Sequence, residues 1–216
     1  LAHITEQKNA MSTSTLLLTA GLMLAGYLAG SVPFSYLVAR ARGVDLRKVG
    51  SGNIGGANVW RACGFGPFLV AAALDMLKGM LPTLAALWLL PGQPIATVLV
   101  GVAAILGHSF PLFLGFKGGK AVATSGGVLL AIVPLLLLVG VAAWALAFLI
   151  TRISSVGSLT AAAAEIVAGA ALYLWGQLPL AYALFIWFSA LFVVYLHREN
   201  IQRLRAGTEN RFKKLF

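Results

Sequence analysis

Three short segments carry nearly all the residues of this chain that could do chemistry. The first reads Gly50-Ser51-Gly52-Asn53-Ile54-Gly55-Gly56-Ala57-Asn58-Val59-Trp60-Arg61. Its glycines let backbone N–H groups converge on an anion. Ser51, Asn53 and Asn58 add neutral donors, and Arg61 adds a planar fork suited to phosphate. A flexible loop with basic anchors has the same composition, so this segment decides nothing alone. The second runs from Gly107-His108-Ser109-Phe110-Pro111 into Gly115-Phe116-Lys117-Gly118-Gly119-Lys120-Ala121. It looks like a phosphate-binding loop but is not a Walker motif. Only three residues separate Gly115 from the Gly119-Lys120 pair, and Ala121 stands where a magnesium-binding hydroxyl belongs. A nucleoside triphosphatase is thereby disfavoured. The helix that follows would aim its N-terminus at an anion held in the loop. The third segment is His197-Arg198-Glu199-Asn200, continuing to Glu209. On a helix His197 and Asn200 share a face at i, i+3. The arginines around them fit contact with anionic lipid.

These segments must be held by an apolar scaffold. Of 216 residues 60% are hydrophobic and only 10% charged, against about 25% charged in a soluble domain. The mean hydropathy is +0.91. A water-facing shell cannot be built from so few polar residues, and disorder needs the opposite composition. Apolar runs cover about 14–39, 66–90, 95–114, 121–150, 156–175 and 178–196. They are continuous rather than alternating, which excludes a transmembrane β-barrel and predicts an all-α integral membrane protein. Residues 1–13 are a polar N-terminal extension, and 14–216 form a single membrane-embedded domain.

Charge placement refines the helix count. Sixteen basic residues outnumber six acidic ones, for a net charge of +10. The basic residues cluster at 40–61, 117–120, 152 and 198–214, whereas 91–94 and 176–179 carry no charge. The positive-inside rule places the clusters in the cytoplasm and the neutral loops outside. The 121–150 run must then turn back on itself, with Gly126, Gly127 and Pro134 as break points. The expectation is about seven transmembrane helices, some short, with the N-terminus outside and the C-terminus cytoplasmic. The motif loops at 40–62, 107–124 and 197–209 share the cytoplasmic face.

Inside the runs stand Asp75, Lys78 and Glu165. Asp75 and Lys78, at i, i+3, can pair, with Asp75 as a scaffold; Glu165 is expected to hydrogen-bond between helices. The single cysteine, Cys63, and three dispersed histidines (His3, His108, His197) offer no metal-ligand spacing. No metal or other cofactor is expected.

The segments GSGNIGGANVWR at 50–61, LDMLKG at 74–79, GHSFPLFLGFKGGKAVAT at 107–124 and HRENIQRLRAGTE at 197–209 occur together in one family. The chain resembles the bacterial acyl-phosphate:glycerol-3-phosphate acyltransferases (the PlsY type) from about Ser31 to Glu209. It departs from the usual GSGNIGATNVLR at Gly56, Ala57 and Trp60. The resemblance implies a seven-helix membrane enzyme that acylates the 1-hydroxyl of glycerol 3-phosphate from acyl phosphate, releasing lysophosphatidic acid and phosphate. It implies a bacterial inner membrane, an active site facing the cytoplasm, no nucleic acid, and a transient link to the enzyme that forms acyl phosphate. Residue by residue, it places Ser51, Arg61, Lys120, His197 and Asn200 in the catalytic set. It gives the glycines of 115–119 to glycerol 3-phosphate and makes Glu209 structural; the residues themselves add Gly52, Asn53, Asn58, His108, Lys117, Gly118 and Gly119 as expected substrate-binding groups and Asp75 as structural. Acyl-CoA-dependent acyltransferases use a His-x4-Asp pair, and no histidine here has Asp five positions on. Acyl-CoA and acyl-carrier-protein donors are therefore expected to be unproductive. The competing class is a membrane transporter for an organic phosphate. Such proteins usually bind near the bilayer midplane between repeats, and this chain gathers its polar groups at one face without a repeat.

Overall fold

The structure, a computed structural model, describes residues 12–212. Residues 1–11 of the polar extension, with His3 and Lys8, lie outside the described residues, as do 213–216. The described chain is all helical: α1 Thr13–Ser31, α2 Phe34–Arg40, α3 Gly56–Cys63, α4 Phe65–Leu89, α5 Pro94–Ser109, α6 Val122–Ile132, α7 Pro134–Thr151, α8 Ser154–Leu174, α9 Leu180–Leu196 and α10 Arg198–Arg205.

Local sequence explains most boundaries. Ser12 caps α1, its hydroxyl accepting from the Thr15 N–H at 3.1 Å. Pro33 separates α1 from α2, so the first apolar run is broken just before the basic cluster that starts at Arg40. Gly64, at φ +91°, ends α3 and begins α4. α5 and α7 open on Pro94 and Pro134, where a proline costs no hydrogen bond. The turn in the 121–150 run falls at Val133-Pro134, not at the glycines named as alternative break points. Gly126 and Gly127 lie inside α6, where a Cβ on Gly127 would overlap the Met76 carbonyl of α4. They serve close helix packing rather than a turn.

Five segments are long and apolar enough to cross a membrane: Thr13–Arg40, Phe65–Leu89, Pro94–Leu114, Pro134–Thr151 and Ser154–Leu174. α9 with α10, bent by 55°, is a sixth, and α6 is a shorter apolar helix of 11 residues. Large apolar side chains point outward along these helices, with Leu17 70% and Ile150 75% exposed, as lipid-facing surfaces require. Trp88 and Trp175 sit exposed at the ends of α4 and α8, beside the uncharged loops, where membrane-interface aromatics gather.

Small residues set the inner contacts. Gly30 of α1 abuts the Ala104 carbonyl of α5, and Gly107 of α5 abuts the Tyr27 carbonyl of α1. Backbone therefore meets backbone with no room for a methyl group. Gly30→Ala is expected to destabilise the protein by about 1–3 kcal/mol. Thermal unfolding in detergent should show a lower Tm, with turnover per folded molecule unchanged.

The break between α1 and α2 leaves polar backbone inside the apolar bundle, and α4 satisfies it. Lys78 donates from Nζ to the Val32 carbonyl at 2.8 Å and pairs with Asp75 at 2.8 Å. Asp75 in turn accepts from Ser35 at 2.6 Å. All three side chains are buried. Irregular backbone at membrane depth persists only when protein groups satisfy it this way. The Asp75–Lys78 pair anticipated from spacing thus ties α4 to the break. Glu165 behaves otherwise than expected: among the described residues it has no hydrogen-bond partner, and it packs against Gly140 of α7.

Candidate active site

The 50–58 loop is organised by Asn58 at the start of α3. Its Nδ2 donates to the carbonyls of Leu46 (3.1 Å), Val49 (3.0 Å) and Asn53 (3.0 Å). Its Oδ1 accepts from the Ser51 N–H at 3.2 Å. Asn58 is 2% exposed. Expected to offer donors to a ligand, it spends them on the loop instead. Asn53 makes a tight turn by accepting from the Gly55 N–H at 2.9 Å. At Gly50, φ is +58° and a Cβ would overlap Asn58 Oδ1, so only glycine fits. Ser51 is left at the surface of the loop with its hydroxyl available as a donor.

The second loop folds back on the end of α5. The N–H groups of Gly118 and Gly119 donate to the Ser109 and His108 carbonyls at 3.1 and 3.2 Å. A Cβ on Gly119 would overlap His108 Nε2. Beneath it, the Thr124 hydroxyl donates to the Asp75 carbonyl at 2.9 Å and lies 3.0 Å from His108 Nδ1. Since the Thr124 proton is already directed to Asp75, Nδ1 of His108 carries the other proton and Nε2 is an acceptor. Ala121 caps α6 in the left-handed region at φ +55°, a conformation disfavoured for alanine. It places Lys120 so that Nζ donates to Asn200 Oδ1.

The third segment is held by Glu209. This carboxylate accepts from Asn200 Nδ2 (2.6 Å), Ser155 Oγ (2.9 Å) and Arg203 Nε (2.7 Å). Burial would raise its pKa, but these three bonds outweigh burial and hold it below the usual carboxylate range. His197 directs Nδ1 at the Val193 carbonyl, 2.8 Å away, leaving Nε2 as an acceptor. Phe212 N–H donates to the Arg152 carbonyl at 2.9 Å. Its ring joins Trp60, Phe68 and Phe148 in an aromatic cluster, with centroids 5.0 Å (Trp60–Phe212), 4.8 Å (Trp60–Phe68) and 5.2 Å (Trp60–Phe148) apart. The family departure at Trp60 therefore fills the contact between α3, α4, α7 and the tail. Arg61 lies over the Phe212 ring at 4.5 Å and donates to the Asn210 carbonyl at 3.4 Å.

These elements close around one cavity of about 450 Å³. Ser51, Asn53, Arg61, Lys120, His197 and Asn200 line its polar end, along with Asn58, His108, Asp75 and Glu209. Gly52, Lys117, Gly118 and Gly119 do not line it. Lys117 is exposed, and the two glycines pack on the end of α5 directly before Lys120. Four helix starts, those of α3, α6, α8 and α10, contribute lining or capping residues at this end. None has a side-chain cap, so their free N–H groups and dipoles favour an anion. That convergence was not read from the sequence, although Ser154-Ser155 after Arg152 is a helix-start signal. The cavity continues along Ala72 and Met76 of α4, Val141 and Trp144 of α7, and Ala161 of α8. Leu69 and Val141 line it and are half exposed on the bundle's outer surface, so it opens sideways toward lipid.

Burial first, then the nearby Arg203 charge, brings Lys120 down to about 8. The ammonium form binds phosphate, so kcat/KM is expected to fall as pH rises through about 8. A pH profile checks this, and Lys120→Arg, whose guanidinium stays charged, should flatten it.

An all-helical bundle of membrane-length apolar helices around a cationic cavity defines an integral membrane protein. More particularly, the chain belongs to the glycerol-3-phosphate acyltransferase family, which it matches over residues 20–207. A glycerol-3-phosphate acyltransferase of Roseiflexus sp. (strain RS-1) is 62% identical over 195 residues, or 90% of this chain and 96% of that protein. Two crystal structures of PlsY (YgiH), an integral membrane glycerol 3-phosphate acyltransferase, align over 90% of this chain and 95% of theirs. The glycerol 3-phosphate form gives a TM-score of 0.82 at 39% identity, and the lysophosphatidic acid form 0.80 at 38%. The family read from the motifs is borne out.

Proposed function

We propose that the protein transfers a fatty acyl group from acyl phosphate to the 1-hydroxyl of glycerol 3-phosphate, giving 1-acyl-glycerol 3-phosphate and inorganic phosphate. The observation that carries this is the single cavity that joins a cationic, donor-rich end to an apolar, lipid-open wall. Each half suits one part of an amphiphilic donor, and the polar end has cations enough for a second phosphate. Relatives that act on glycerol 3-phosphate support the acceptor.

In this reading Ser51 and Arg61 hold the acyl-phosphate head. Arg61 Nε is buried without a hydrogen-bond partner among the described residues, and a phosphate oxygen completes it. Lys120 bridges the two phosphates. The Nε2 lone pair of His197 receives the hydrogen bond of the acceptor 1-hydroxyl, and Asn200 fixes the acceptor beside Lys120. The hydroxyl oxygen bonds to the acyl carbon, the bond from that carbon to the phosphate oxygen breaks, and the hydroxyl proton leaves on phosphate. Phosphate is a good leaving group, so the protein's contributions are orientation and charge stabilisation. No cofactor takes part.

The membrane arrangement belongs to the same proposal. Residues 14–216 act as one domain in a bacterial inner membrane, with seven membrane helices if α6 is counted. The N-terminus is outside, and the motif loops and C-terminus are cytoplasmic, where a transient contact with the acyl-phosphate-forming enzyme would deliver donor. Donor choice is the test. Purified protein should form product with acyl phosphate and give none above background with acyl-CoA or acyl-carrier protein. Efficient transfer from acyl-CoA alone would overturn the donor assignment.

A further inference from the structure

Glu165 has no part in the chemistry above, yet it lines the same cavity. On α8 the lining residues Ser154, Ser155, Ser158, Ala161 and Glu165 follow a 3–4 spacing and form one stripe facing the cavity. Ser154 and Ser155 mark the polar end. Glu165 is the last of the stripe. At about 1.5 Å per residue, with the side chain leaning back toward the helix N-terminus, its carboxyl lies roughly 10–15 Å beyond Ser155. The surrounding lining is apolar: Met76 on α4, Leu137 and Val141 on α7, Ala161 on α8. Its oxygen rests against Gly140, where a Cβ would overlap it. Among the described residues no donor or acceptor meets it.

A carboxyl in such a place is tolerated while water in the cavity reaches it. A methylene chain lying over it would remove that water and offer nothing in return, which is costly for any buried polar group. We infer that Glu165 is a specificity-determining residue that sets the length of acyl chain accepted by the cavity. Chains ending short of its carboxyl leave it wet; chains that run past it strip it. This rests on the proposal that the acyl chain occupies the apolar part of the cavity. Gly140 belongs to the same device, since only glycine on α7 leaves room for the carboxyl to stay on the wall. Ala161, one turn before Glu165 on the stripe, is small enough to let a chain reach it.

The test is a ladder of acyl phosphates from decanoyl to octadecanoyl, assayed in detergent with glycerol 3-phosphate. The readout is the ratio of kcat/KM for hexadecanoyl over dodecanoyl phosphate, taken within each preparation so that loss of active protein cancels. Glu165→Ala removes the carboxyl, and Glu165→Met replaces it with an apolar group of similar reach. Each should raise the ratio by about tenfold, the worth of sparing one buried polar group. Glu165→Gln keeps a polar group and should hold the wild-type ratio. KM for glycerol 3-phosphate should not move in any of them. An unchanged ratio in Ala or Met proteins that turn over would overturn the inference and leave the activity standing. Absence of transfer by wild type from every acyl phosphate would instead defeat the underlying reading.

Discussion

Arg61→Ala is expected to lower kcat/KM for acyl transfer by about two to three orders of magnitude while the protein stays folded. The guanidinium is fixed from two sides, by the Phe212 ring at 4.5 Å and the Asn210 carbonyl at 3.4 Å. It therefore reaches the cavity already oriented, and in the proposed reaction the charge that develops on the departing phosphate meets a preset donor. Removing one such donor typically costs that much. Arg61→Lys restores charge but neither the planar fork nor the stacking, so it should recover only a small part of the loss. Steady-state kinetics beside thermal unfolding in the same detergent checks both variants. Activity of the alanine variant within about threefold of wild type would remove Arg61 from the site.

The second large effect concerns a residue that need not touch substrate. Glu209→Ala withdraws the acceptor from Ser155, Asn200 and Arg203 together. Its side chain is 3% exposed and that of Arg203 33%. The loss in stability should be about 3 kcal/mol, at the low end for breaking a buried pair because Arg203 keeps some solvent. Activity should fall further than stability explains, by roughly a hundredfold, because Asn200 and Lys120 lose their common anchor and Arg203 becomes an unpaired charge beside Lys120. Glu209→Gln retains an acceptor for Ser155 but no counter-charge, so it should lie between. Chemical denaturation and kinetics on the same preparations separate the two contributions. Equal losses in both would make Glu209 a purely structural residue.

The membrane-protein class and the family were legible in the sequence, because both rest on patterns that survive without coordinates. Long apolar runs fix helices in lipid whatever their packing, and Ser51, Arg61, Lys120, His197 and Asn200 stand in spaced motifs. The division of labour within those motifs was not legible. Asn58 and Ser51 are both polar residues in one glycine-rich loop, but only the fold shows that the donors of Asn58 are consumed by three carbonyls. Lys117 and Lys120 are equivalent by composition. The left-handed turn at Ala121 sends one into the cavity, while the other stays exposed. The break at Val133-Pro134 was marked by its proline, whereas Gly126 and Gly127 carried the same local signal for a different purpose. Glu165 was misread because a lone acid among alanines suggests a partner across the interface. Its actual neighbour, Gly140, supplies space and no hydrogen bond.

The central claim is that one cavity brings an acyl phosphate and glycerol 3-phosphate together. Incubating the purified protein in detergent with both compounds tests it most directly, because a micelle has no compartments between which a transporter could act. The expected result is lysophosphatidic acid and inorganic phosphate formed one for one, abolished in Arg61→Ala. Binding of glycerol 3-phosphate with no ester formed, under conditions where the acyl phosphate is intact, would contradict the account and remove acyl phosphate as the donor.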